Sequence, residues 1–157
     1  SFAIFISFND YPFTFPYLKR PEEAGSLKFI SASRENNGVT DKLDSNTVSK
    51  SFIGNCITVV NNGESTTEAF YQKDKFTCSH DVNILNLRRF SLNVYIAMFL
   101  IALIKKEKSK FSYGRKWRVN RMKKSVIKLP VNSKGNPDWD FMEDYIKSLP
   151  YSKALEN

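Results

Sequence analysis

Apolar residues fall first in strand-like runs and then at helical spacing, and the change of period lies near Ser91. Residues 27–32 read as a strand, closed by the turn-forming Asn36-Asn37-Gly38. Cys56–Val60 and residues 69–71 flank a second turn signal, Asn62-Gly63, which predicts a β-hairpin with a lengthened loop. Residues 82–87 form a further candidate strand. Upstream, residues 2–8 are aromatic and apolar, but Pro12, Pro16 and Pro21 interrupt any regular element, so residues 1–26 stand apart as an N-terminal segment.

Leu92, Tyr95, Ile96, Phe99, Leu100 and Leu103 share one face of a helix predicted over about 91–107. Val94, Met98 and Ile101 make its other side apolar too, which predicts burial on most faces. Ser91 or Asn93 is its cap, and Lys105, Lys106 and Lys108 suit the negative end of its dipole. A short strand over 126–129 is expected to stop at Pro130. Asn136 and Pro137 then supply a cap and first residue for a last helix, striped with Trp139, Met142, Ile146 and Leu149. Its charges are mostly acidic, so it should face a core or another protein. The fold class is α/β in the mixed α+β sense: one domain over 27–136 with a twisted, mostly β-sheet core and one buried helix, then a C-terminal amphipathic helix over 137–157.

Composition narrows the class further. The chain has 157 residues, 41% apolar and 25% charged, which is globular rather than disordered. Its longest uncharged apolar stretch, residues 91–104, is shorter than the roughly 20 residues a membrane-spanning helix needs. No secretory pattern opens the sequence, and two cysteines, Cys56 and Cys78, are too few for a disulfide framework. A cytoplasmic protein without membrane partners is expected.

The net charge of +8 is unevenly distributed. Residues 105–128 contain eleven Lys or Arg and one acid, Glu107, while the rest of the chain is slightly acidic. Phe111, Tyr113 and Trp117 interleave with these cations, and Gly114 permits close backbone approach. Such a block suits a polyanion, because each neutralised phosphate releases condensed counterions.

Catalytic signatures are missing. His80 is the sole histidine, so no multi-histidine metal site forms, and no cofactor is implied. Neither cysteine has a partner at metal spacing, and both sit in strand-like context as buried structural thiols. No glycine-rich phosphate loop is present. None of the sixteen acids has a lysine two positions later, as a restriction-type nuclease site usually would, and no polar-Pro-Pro-aromatic methyltransferase loop occurs. The chain is read as not an enzyme.

Several segments in order resemble a known family. Asn36-Asn37-Gly38 after Phe29-Ile30-Ser31-Ala32-Ser33 is similar to the opening of a target recognition domain from type I restriction-modification specificity subunits. The resemblance continues through residues 54–63, 69–72 and 81–85, then Phe111-Ser112-Tyr113-Gly114-Arg115-Lys116-Trp117 with Arg121-Met122, and on to Ile127-Lys128-Leu129-Pro130-Val131 and residues 137–142. Recognition subunits of related type II systems of the BcgI kind are equally similar. The resemblance spans residues 27–149 and implies a non-catalytic DNA reader that recognises one part of a split target. It also implies methyltransferase subunits as partners, with a restriction subunit as a further one, and pairing of two copies by symmetry. The alternative is an adaptor or masking subunit whose basic segment meets an acidic protein.

On this reading Lys110, Lys116, Arg118, Lys123 and Lys124 are phosphate contacts. Arg115 and Arg121 either grip guanine through two hydrogen bonds or hold phosphates. Tyr113 contacts the sugar-phosphate backbone or packs under the Gly114 turn, and Trp117 belongs to the core in preference to stacking on a base. Asn36, Asn37, Asn61 and Asn62 have side chains able to bond adenine, but they are foremost turn residues. Ser65, Thr66 and Gln72 complete the candidates as loop contacts.

Overall fold

Cys56-Ile57-Thr58-Val59-Val60 is apolar or β-branched at every position, the signature of a strand covered on both faces. In the computed structural model, which describes residues 26–87, 90–111 and 115–156, all five are buried. The strands are β1 (Ser26–Ile30), β2 (Val39–Asp44), β3 (Cys56–Val60), β4 (Ala69–Gln72), β5 (Phe76–Cys78) and β6 (Val82–Leu85). They form two three-stranded sheets. One has the order β2-β1-β5, antiparallel then parallel, and the other the order β4-β3-β6, antiparallel throughout. The expected hairpin is β3–β4, with Ile57 opposite Tyr71 and Val59 opposite Ala69.

The alternation of β3 and β6 explains their double coverage. Ile57, Val59 and Leu85 point toward α1 (Val94–Lys106) and pack with Leu92, Ile96, Leu100 and Ile104. Cys56, Val82 and Ile84 point the other way and pack with Ile30, Phe76 and Cys78 of the first sheet. The second sheet is therefore the middle layer, between a helical layer and the first sheet.

Polar side chains join the layers as well. Asn36, Asn37 and Gly38 take φ of 49°, 54° and 79° in succession, which only Asn and Gly adopt readily. A Cβ at Gly38 would lie 3.1 Å from Ile30 Cγ2 and 3.2 Å from Phe70 Cδ2. The turn folds back so that Asn37 Nδ2 donates to Tyr71 O at 3.0 Å, while buried Gln72 Nε2 donates to Asn37 O at 2.9 Å and Thr58 Oγ1 at 3.1 Å. Among the described residues, no buried side-chain nitrogen or oxygen lacks a partner.

Three local expectations need correction. Helix α1 is capped by Asn93, whose side chain accepts from Ile96 N at 2.9 Å, but its buried face is rotated from the predicted one. Ile96, Ala97, Leu100, Ile101 and Ile104 are buried, Tyr95, Phe99 and Leu103 are only partly covered, and Met98 is exposed. The sheet sets the buried face, and α3 (Trp139–Ser148) covers one flank rather than the whole circumference, with Tyr145 edge-on to Phe99 at 5.8 Å.

Residues 126–129 do not form a strand. Only Ile127 makes a bridge and is buried, while Val126 is half exposed, because no neighbouring edge pairs with the rest of the segment among the described residues.

The cap of α3 is Asp138, which accepts from Phe141 N at 3.0 Å, rather than Asn136. Asn132 Oδ1 accepts from Lys134 N and Asn136 N, and Pro137 bridges Val131, so the chain is still held in a tight loop at Asn136-Pro137. Met142 and Ile146 are buried against the helical layer and Trp139 stacks on Phe90 at 4.9 Å, but Leu149 is exposed and drops out of the stripe.

Candidate nucleic-acid interface

The basic segment leaves α1 through a 3-10 turn over Glu107–Lys110 and then alternates buried anchors with exposed cations. Trp117 is 1% exposed, stacks on Phe111 at 4.9 Å and donates from Nε1 to Ser125 Oγ at 2.8 Å. Ser125 Oγ donates in turn to Arg121 O at 3.0 Å. Between them lies α2 (Val119–Met122), a single turn whose Met122 is buried in the core. Met122 Sδ accepts from Asn83 Nδ2 of β6 at 3.6 Å.

These anchors fix the backbone of a segment whose other side chains are charged. Arg115, Lys116, Arg118, Arg121, Lys123 and Lys124 are all exposed. Arg121 Nη1 donates to Lys116 O at 3.2 Å, which gives that guanidinium a defined direction. Tyr113, with Ser112 and Gly114, lies outside the described residues.

The lysines nearest α1 are held by acids. Glu68, at the foot of β4, pairs with Lys105 at 3.1 Å and Lys108 at 4.0 Å, and Lys105 also lies over the Phe70 ring. Lys110 pairs with Glu107 at 2.6 Å while remaining 59% exposed. Its partner Glu107 is mostly covered, so the pair is exposed on the lysine side alone. Glu68 had no local signal in the sequence, because it reaches the lysines only through the fold.

The polar loop candidates divide. Asn61 is 7% exposed, and its Nδ2 donates to His80 O at 3.2 Å and Asn83 Oδ1 at 3.1 Å, so its amide holds β3 to β6 internally. Asn61, a turn residue and candidate base contact by sequence, is buried here. Gln72 and Thr66 are likewise buried. Asn37 is exposed but its amide donates inward to Tyr71 and Gln72. Asn62 is half-buried, accepting from Gly63 N and donating to Asp81 Oδ1 at 3.0 Å. Ser65 is half-buried, and its carbonyl accepts from Glu68 N. The buried Asn61–Asn83–Met122 chain of contacts joins the end of β3, through β6, to α2.

Burial pushes both thiols, Cys56 and Cys78, up to about 12, so they are neutral at physiological pH. Among the described residues, no three His, Cys, Asp or Glu gather to hold a metal ion. Also among them, no helix is long and apolar enough to cross a membrane.

Residues 12–157 match a family model described as the type I restriction modification DNA specificity domain. Over 131 residues the chain is 38% identical to the type II restriction enzyme BgcI specificity subunit S.BcgI of Heyndrickxia coagulans. That alignment takes in 83% of this chain but 38% of the relative, so the chain spans well under half the length of the protein it matches.

Proposed function

The chain belongs to the type I restriction modification DNA specificity domain family, and on that premise we propose that it binds duplex DNA sequence-specifically and reads one part of a split target. It does no chemistry on the DNA itself. Methylation and cleavage lie with partner subunits that it positions, a methyltransferase first and a restriction subunit second, and a second copy of the chain supplies the other half of the target. The cytoplasm is the compartment this role requires.

The observation that carries the reading is the exposed cationic segment over 115–124 and its buried anchors. Arg115, Lys116, Arg118, Arg121, Lys123 and Lys124 project from a backbone pinned by Trp117 and Met122. Cations on a fixed scaffold neutralise phosphates in one register, which positions a reader, while arginines and neighbouring polar turns reach base edges. The exposed acids of α3, Asp140 and Asp144, suit a protein partner rather than a phosphate backbone.

Selection from a random duplex pool, with the methyltransferase partner present, tests the proposal. A defined half-site should enrich, and affinity for it should fall by about 0.9 log units per log unit of salt for each phosphate contacted. Equal recovery of all sequences, or capture of an acidic protein with no retention of DNA, overturns it.

A further inference from the structure

The turn between β5 and β6 carries a carboxylate that the cationic segment does not use. The side chain of Asp81 is 27% exposed. Its Oδ1 accepts from Asn62 Nδ2 at 3.0 Å, with His80 Nε2 3.5 Å from the same oxygen. Its backbone N–H donates to Ser79 Oγ at 3.3 Å, and its carbonyl accepts from Asn61 N at 2.8 Å. Among the described residues, no donor reaches Oδ2. One oxygen is therefore held and the other left open.

Asp81 lines a groove of about 390 Å³ together with Phe29, Ser31, Ala32 and Ser79. Both serine walls are tied to the first sheet. Ser31 Oγ shares a hydrogen bond with Thr40 Oγ1 at 2.8 Å, and Ser79 N donates to Ile30 O at 2.9 Å. Asn83, two residues beyond Asp81, meets Met122 of α2 through its side chain.

We propose that Asp81 is a specificity-determining residue: its Oδ2 accepts a hydrogen bond from the exocyclic amino group of a cytosine or adenine whose major-groove edge enters this groove. The inference rests on the reading of the chain as a duplex-DNA binder. Cytosine N4 and adenine N6 are donors in the major groove, whereas guanine O6 and N7 and thymine O4 are acceptors. A carboxylate bonds the first pair and repels the second. DNA that presents only acceptors at that position is therefore actively disfavoured. The Ser31 and Ser79 hydroxyls donate or accept with equal ease, which leaves the choice to Asp81.

The test is the half-site selection repeated with full-length D81N, D81A and E64Q proteins. Asp81→Asn keeps the size of the side chain and can keep the acceptor toward Asn62 while turning an NH₂ into the groove. It should exchange the wild-type preference for an amino-bearing base at one position, of about tenfold, for a carbonyl-bearing base. Asp81→Ala removes both oxygens but retains the backbone bonds to Ser79 and Asn61, and should leave that position without preference. Glu64, 92% exposed in the hairpin loop, controls for charge alone: E64Q should alter affinity at every sequence and preference at none. An unchanged half-site in both Asp81 variants, or the same relaxation in E64Q, overturns the role of Asp81 while DNA reading stands. Failure of the wild-type protein to enrich any sequence overturns both.

Discussion

Trp117 Nε1 donates to Ser125 Oγ across eight residues of basic chain, and the same hydroxyl donates onward to Arg121 O. One serine thus satisfies a buried indole and closes the one-turn helix that presents an arginine. Ser125→Ala leaves the indole N–H, in a residue 1% exposed, without its partner, and should cost about 1–3 kcal/mol in denaturant unfolding. Trp117→Ala adds a cavity beside Phe111 and should cost about 3–5 kcal/mol. In either case DNA affinity should fall in parallel.

Exposed cations should separate from these anchors by leaving stability alone. Lys116→Ala and Lys124→Ala should change unfolding free energy by less than about 0.5 kcal/mol. Each should weaken binding to all sequences alike and lower the salt slope by about one. Arg115→Ala and Arg121→Ala distinguish base from phosphate: a base contact costs about 1–3 kcal/mol and relaxes one target position, a phosphate contact relaxes none. Fluorescence anisotropy over a salt series, on matched and mismatched duplexes, reads both.

Glu68 restrains two lysines at the root of the basic segment. Glu68→Gln should free Lys105 and Lys108, raise affinity for non-specific duplex at low salt, and steepen the salt dependence. Affinity that stays level would mean these lysines do not reach phosphates.

The α1–α3 contact should loosen in acid. Glu143 accepts from Lys147 Nζ at 2.6 Å and Asn93 Nδ2 at 2.7 Å, and these bonds, the lysine's first, hold its carboxyl below the usual carboxylate range. A carboxyl lowered in the folded state stabilises the protein above its unfolded value, near about 4.3, and that contribution disappears as pH falls through the lower folded value. Thermal melts from pH 6 downward should show Glu143→Gln losing less stability over that window than the unaltered protein.

Elements whose own residues determine them were legible in the sequence. β3, the β3–β4 hairpin and α1 follow from local period and turn chemistry, and Trp117 reads as core because a large ring among cations needs somewhere dry. What failed depended on neighbours elsewhere in the chain. Met98 and Ala97 are both apolar, so only the sheet beneath α1 decides which of them is covered. Residues 126–129 have strand composition, but among the described residues no strand pairs with them. Asn61 and Asn62 are adjacent and chemically identical, yet one is sealed between β3 and β6 and the other rims a turn. The cationic stretch of the candidate site was visible as composition, but the pairing of Lys105 and Lys108 with Glu68 was not, since Glu68 lies far upstream. Asp81 was passed over because a single acid in a short turn has no pattern of its own.

The two cysteines sit back to back with the seam where one sheet rests on the other, Cys56 on β3 and Cys78 on β5. Protonated and shielded, they are silent toward alkylating reagents while that seam is shut. Their labelling rate is then a clock for its breathing: modification, wherever it is seen, counts the moments when the layers part, and a duplex that clamps the loops at their edge should slow it.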